Sequence, residues 1–252
     1  MSDGIYSALS GAIAQERNLT VVANNVANTT TSGYKGDKTI FAEVMNKVKS
    51  SLPAAPALRY GLVSQLSMDN QAGSLHQTGR PLDVALQGDG YFTLDTPQGE
   101  RYTRAGGFVL DREGVLRTLA GHAVLQDTGS PSKPVDKIVI PQNARELSIS
   151  PEGTVSVDGQ QLAKLRLVRF EGPDPVLRDG LTLFKPQDGV KPQAIQPTTS
   201  VEQGFLEAAN VNAVTGMNEL ITVHRSFEAL QKVIETFRQL DDRTARDVGG
   251  KV

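Results

Sequence analysis

The 252-residue chain contains no cysteine, which excludes disulfides, thiolate catalysis and sulfur-ligated zinc and leaves it indifferent to the redox state of its compartment. Histidine is scarce as well: His76, His122 and His224 are the only three, and no two stand at helical pair spacing. No metal site is expected from them. No apolar run approaches the roughly 18 residues of a membrane span, and the first residues lack a basic stretch followed by a continuous apolar core, so no cleavable signal peptide is expected. Neither sign of charge is in excess. The net charge is −2 with a pI near 6.0, and lysine and arginine are spread along the chain, which argues against nucleic acid as a partner. Hydrophobic residues make up 38%, somewhat low for a compact enzyme of this length, so an elongated or modular chain is expected.

Catalytic motifs are missing too. There is no Walker loop, no His-Glu-x-x-His and no Gly-x-Ser-x-Gly elbow. Gly88-Asp89-Gly90 opens like a dinucleotide loop, but Thr93 occupies the sixth position and strand-forming residues follow, where a helix N-terminus should receive the pyrophosphate. It is read as a hairpin turn. Asp241 and Asp242 are adjacent on a helix and diverge by roughly 100°, so they read as a solvated helix end. No catalytic, cofactor-binding or metal-ligating residue is assigned. The one charged cluster that an enzyme or a peptidoglycan-binding module would recruit is Arg80, Asp83, Arg101 and Arg104.

What the chain does have is pattern at its two ends. Ile5, Leu9, Ala12, Leu19, Ala23 and Val26 fall at alternating four and three residue steps, interrupted by Glu16, and Leu220, Val223, Phe227, Leu230, Ile234 and Phe237 repeat those steps. A seam this narrow does not wrap a globular core, but it can zip against another helix. The expectation is α+β: long N- and C-terminal helices forming a coiled-coil-like inner domain, with a central antiparallel all-β domain. The second helix, taken from Ala213 to Arg243, would be about 45 Å long at about 1.5 Å per residue. In isolation such helices gain little from burial, so order is expected to come with assembly.

Between the ends, residues 1–35 form the first helix and its exit, and 36–78 read as a connector. In it Phe41, Val44, Met45 and Val48 hint at a short amphipathic helix before Pro53 and Pro56. From Leu82 onward, short alternating runs separated by glycine turns mark a β domain over 79–186. Residues 187–203, with Pro192 and Pro197, read as a linker, and 204–252 as the C-terminal helix. Lys35, Lys38, Lys47 and Lys49 form a mild basic run of the kind that is ordinarily solvated. Asn24, Asn25 and Asn28 either cap a fraying helix end or fix register between packed helices; spacing leaves both readings open.

The stretch from Ala23 to Lys35 resembles the signature that ends the first helix in axial proteins of the bacterial flagellum. Gly204 to Val211, with Met217 to Ile221 and His224 to Glu228, is similar to that family's closing signature. Gly79 to Phe92 and Tyr102-Thr103-Arg104 resemble the β domain of basal-body rod proteins, and the Arg80-Pro81-Leu82-Asp83-Val84-Ala85-Leu86 form points to the proximal-rod branch rather than the distal one. The resemblance implies a structural, non-catalytic subunit without cofactors, exported through the flagellar type III apparatus. It would assemble helically in the periplasmic rod with copies of itself, proximal-rod neighbours and the distal-rod protein, and transmit torque. The subunit interface it implies comprises Ile5, Leu9, Ala12, Leu19, Ala23, Asn24, Asn25, Val26, Asn28, Gly33, Tyr34 and Lys35 at one end. At the other end it comprises Asn210, Val211, Asn212, Leu220, Val223, Arg225, Phe227, Leu230, Ile234 and Phe237.

Overall fold

The structure, a computed structural model, describes residues 2–46, 58–128, 136–172 and 174–249. The chain opens with α1 (Ser2–Ala27), β1 (Asp37–Asn46) and β2 (Leu58–Met68). Short strands follow: β3 (Leu75–Gln77), β4 (Val84–Gln87), β5 (Tyr91–Thr96), β6 (Gly99–Thr103), β7 (Phe108–Leu110), β8 (Leu116–Thr118) and β9 (Ala123–Val124). Then come β10 (Leu147–Ile149), β11 (Thr154–Val157), β12 (Gln160–Lys164), β13 (Leu167–Arg169), β14 (Val176–Arg178) and β15 (Leu183–Pro186). Last are β16 (Gln193–Ala194), β17 (Ser200–Gln203), β18 (Phe205–Glu207) and α2 (Ala213–Gly249). Two compact units result. A helical unit takes Met1–Ala27, Asp37–Ser67 and Asn212–Val252, and a β unit takes Asn28–Gly36 and Met68–Val211.

In the helical unit α2 begins where Asn212 caps it, its Oδ1 accepting the N–H groups of Val214 at 2.9 Å and Thr215 at 3.2 Å. Its apolar stripe is turned inward: Val223 is buried, and Leu220, Phe227, Leu230, Ile234 and Phe237 are half-buried. The helices pack antiparallel, since Gly4 lies against Phe237, Gly11 against Leu230 and Val26 against Gly216. A Cβ at Gly4 would come within 3.0 Å of Phe237. Glycine therefore lets large α2 side chains rest on the α1 backbone.

That packing corrects the expected coiled-coil-like inner domain, although the α+β class stands. There is a single long helix at each terminus, and their unit also holds the two-stranded β1-β2 sheet. The buried face of α1 is Ala8, Ala12, Ala14, Asn18 and Val22, whereas Leu9 is 44% exposed and Ala23 is exposed. Reciprocal heptad packing needs large knobs on both helices; here the knobs lie on α2 and small residues on α1. A second correction concerns the connector. Residues 37–46 form strand β1, not a short helix, while Val48, Lys47, Lys49, Pro53 and Pro56 lie outside the described residues.

The β unit's sheets pair antiparallel throughout among the described residues. The largest runs β14-β15-β6-β5-β9-β8-β7, with β13 and β16 attached through β5, and a smaller one runs β10-β11-β12. The pleat of β5 divides the interior. Phe92 and Leu94 enter the main core with Val84, Leu116, Ile138 and Leu165, and Tyr91 joins Tyr102, Val176 and Phe184 in a second cluster. Edge-to-face rings stiffen both, with Phe92 and Phe108 centred 5.2 Å apart and Tyr102 and Phe170 4.8 Å apart. Gly88 to Gly90 is not the expected hairpin turn, because β4 pairs with β17 while β5 pairs with β6, β9 and β13. The segment 187–203 contributes β16 and β17 to these sheets.

At Gly11 an added methyl would make ordinary contact with Leu230 at 3.5 Å. Gly11→Ala is therefore expected to raise helical-unit stability by up to about 1 kcal/mol through helix propensity. Gly11→Phe is expected to lower it by roughly 1–3 kcal/mol by overpacking. Thermal unfolding followed by far-UV circular dichroism checks both signs.

Candidate functional site

Within the β unit, the segment after α1 turns at Gly33, whose φ of 71° suits glycine. A Cβ there would lie 2.3 Å from the Ala105 nitrogen, so no other residue fits. The Gly33 N–H donates to the Glu207 carbonyl at 2.8 Å. Tyr34 is buried beneath the Arg178 guanidinium, which lies 4.6 Å from its ring centre. Arg178 also donates to the Lys35 carbonyl.

Lys35 then enters a buried ionic cluster. Its Nζ donates to Glu207 Oε1 at 2.6 Å and to the Gln71 carbonyl at 2.7 Å. Glu207, on β18, further accepts the Gly73 N–H at 2.9 Å and Arg104 Nη1 at 3.4 Å. Arg104 donates through Nη2 to the Gly88 carbonyl at 2.8 Å and sits 5.3 Å from the Tyr91 ring centre; its Nε is buried without a partner. The Lys35 and Glu207 side chains are each 1% exposed and that of Arg104 4%. Burial pulls the Lys35 pKa below its ordinary value, outweighing the opposing attraction of Glu207. The arrangement offers no reacting group to solvent. It is a clamp.

Asn210 extends the clamp. Its Oδ1 accepts the Gly36 N–H at 2.7 Å, and its Nδ2 donates to the carbonyls of Asp69 at 2.8 Å and Gln71 at 3.1 Å. The Asp69 N–H donates to the Gly36 carbonyl at 2.7 Å. The chain passes between units after Ala27, Gly36, Ser67 and Val211. Three of those crossings, at Gly36, Ser67 and Val211, thus adjoin β-unit segments that Asn210 and Glu207 hold together.

The other expected interface residues divide by use. Within the helical unit Asn25 copies a strand pairing: its Nδ2 donates to the Asp37 carbonyl at 2.8 Å and its Oδ1 accepts the Asp37 N–H at 3.0 Å. In the β unit Asn28 Oδ1 accepts the Thr31 hydroxyl at 3.4 Å. Ala12, Gly33, Tyr34, Lys35 and Val223 are buried inside the single chain; Ile5, Leu19, Val26 and Val211 are half-buried, and Asn24, Asn212 and Arg225 are exposed. Lys35 is therefore not part of a solvated basic run. Sequence reasoning missed the roles of Glu207 and Arg178. The available signal for Glu207 was one acid within the apolar Phe205-Leu206 and Ala208-Ala209 flanks.

Arg80, Asp83, Arg101 and Arg104 do not converge. Arg80 holds Asp83 through two bonds at 2.8 and 2.7 Å, Arg101 pairs with Asp179, and Arg104 with Glu207. Burial opposes ionisation of Asp83, but hydrogen bonds from Arg80 and from the Thr78 hydroxyl outweigh it and hold the carboxyl below its ordinary value. Among the described residues no group of three or more His, Asp or Glu could hold a metal ion.

Three family models match along the chain. One described as flagella basal body rod protein covers residues 5–35, one described as the flagellar hook protein FlgE/F/G D1 domain covers 85–157, and one described as the flagellar basal body rod FlgEFG protein C-terminal covers 202–247. Lys35, Arg104 and Glu207 come one from each. The chain is 30% identical to the flagellar basal-body rod protein FlgF of Rhizobium meliloti over 99% of both chains. It is 29% identical to FlgF of Caulobacter vibrioides over 100% of both. It is 33% identical to the rod protein FlgG of Bacillus subtilis, over 94% of this chain and 95% of that one.

Glu207→Gln leaves two buried cations uncompensated and is expected to cost about 3–5 kcal/mol. Lys35→Met, which leaves Glu207 its Arg104 and Gly73 donors, is expected to cost less. Denaturant unfolding of the full chain ranks the two, and a larger loss in Lys35→Met would contradict the central place of the carboxylate. The pH dependence has a definite sign. Unfolded Asp83 takes up its proton near 3.8 while the folded carboxyl resists to lower pH, so between those values the unfolded chain binds more protons and stability falls as pH falls. Asp83→Asn is expected to flatten that acid limb in pH-resolved unfolding.

Proposed function

The chain belongs to the flagellar basal-body rod protein family, and we propose that it is a structural subunit of the proximal rod that carries torque across the periplasm. The clamp supports this reading most directly. Three of the four chain crossings adjoin β-unit segments bound by Lys35, Glu207 and Asn210, so load carried along the chain reaches those segments directly. A buried ion pair with several geometrically defined donors resists shear better than apolar packing alone, because its hydrogen bonds are directional. The proximal place rests on full-length similarity to FlgF proteins and on the Arg80 to Leu86 form.

Assembly is through the terminal helices, with copies of the chain, other proximal-rod proteins and the distal-rod protein as neighbours. Heterologous contacts that do not close into a ring generate a helical array. The chain reaches the periplasm through the flagellar type III export apparatus; among the described residues no helix is long and apolar enough to cross a membrane. No catalysis is assigned, since Arg80, Asp83, Arg101 and Arg104 are engaged in three separate ion pairs.

Removing residues 2–27 is expected to leave a folded β unit that is absent from purified basal bodies, in cells that do not swim. Motile cells whose basal bodies contain the truncated chain would overturn the reading. Crosslinks confined to copies of this chain and to the hook side would move it to the distal rod.

A further inference from the structure

The α2 seam expected to meet neighbouring subunits is turned inward within the single chain, which leaves other faces to do so. On α1, Tyr6, Leu9 and Ile13 are 58%, 44% and 43% exposed and lie on the side turned away from the Gly4, Ala8 and Gly11 face that α2 covers. On α2, Val214, Met217 and Ile221 are 70%, 54% and 50% exposed, on a face rotated by roughly 140° from the packed stripe at about 100° per residue. Both triplets have three-then-four spacing, the mark of one continuous apolar stripe.

We propose that the α1 stripe Tyr6–Leu9–Ile13 of one copy docks on the α2 stripe Val214–Met217–Ile221 of the next copy, head to tail. This rests on the rod reading and names the faces that join successive subunits. The occupant follows from spacing and direction. When copies point the same way, α1 of one runs antiparallel to α2 of its neighbour, as within a chain. Tyr6 then meets Ile221, Leu9 meets Met217 and Ile13 meets Val214, with no charged residue inside either stripe. Within a single chain Gly11 lies against Leu230, so Leu9 and Met217 stand about 20 Å apart along the helix axis at about 1.5 Å per residue. The two stripes therefore occupy opposite ends of the helix pair, and the contact cannot be satisfied internally. It is heterologous, so an array that does not close into a ring keeps one free stripe at each end. Of these six residues only Leu9 belonged to the interface expected from the heptad pattern.

The absence of cysteine makes the test unambiguous. A disulfide requires Cα atoms within about 7 Å, so a bond between Leu9→Cys and Met217→Cys in one full-length chain must join two copies. Oxidised basal bodies from cells carrying both changes are expected to show dimers and a higher ladder, and Leu9→Cys with Val233→Cys, off the stripe, is expected to show none. Basal bodies that contain the first variant without dimers overturn the pairing and leave the rod reading intact. Wild-type chain missing from purified basal bodies overturns both. A cysteine-independent pair guards against variants that fail to enter: Leu9→Lys and Met217→Glu are each expected to cut incorporation at least tenfold, with recovery when combined. Equal loss in the combination overturns the proposal.

Discussion

A carboxylate with 1% of its surface in contact with solvent must be met by cations and N–H donors, or the segment that carries it will not stay folded. Glu207 is met by Lys35, Arg104 and the Gly73 N–H, and each donor arrives from a different stretch of chain. The cluster can form only when the exit from α1, the segment between β2 and β3, the residue that follows β6 and the closing signature are all in place. The left-handed turn at Gly33, its approach to Ala105 and the amide bridges of Asn210 are local consequences of bringing those stretches into one small volume.

The helical unit depends on a different constraint, the close approach of two backbones. Glycines at positions 4 and 11 of α1 accept Phe237 and Leu230 of α2. The apolar stripe of α2 is consumed inside the chain, and the larger α1 side chains, Tyr6, Leu9 and Ile13, are left facing outward. The two units thus solve different problems. One is held by buried charge in a β framework, while the other is a small-on-large helix pair that leaves apolar side chains such as Tyr6, Leu9 and Ile13 exposed.

Much of the fold was legible before the structure. Steps of three and four residues marked both helices, and glycine-bounded alternation marked the β unit, because these periodicities are properties of the local backbone. Errors arose where the outcome depended on a distant partner. The heptad reading of α1 chose the stripe through Leu9, but the glycines and alanines beside it form the contact face, since what α2 needs is room. Residues 37–46 carry apolar spacing compatible with a helix, yet form a strand that Asn25 and Asn18 hydrogen-bond through Asp37 and Thr39. Lys35 looked like one of several surface lysines because a one-dimensional run contains no information about an acid 172 positions away.

The order of residues alone marked the class of the protein: two long helices flanking a glycine-punctuated β region, no thiol, and terminal signatures resembling those of the flagellar axial proteins. Local backbone preference and residue chemistry suffice for that. That Glu207 is the hub of the closing signature, that Lys35 is buried and which face of each helix is inward emerged from the folded chain. Those outcomes depend on long-range burial and electrostatics, where the identity of the neighbour sets whether a charge is a solvated ornament or the centre of a clamp.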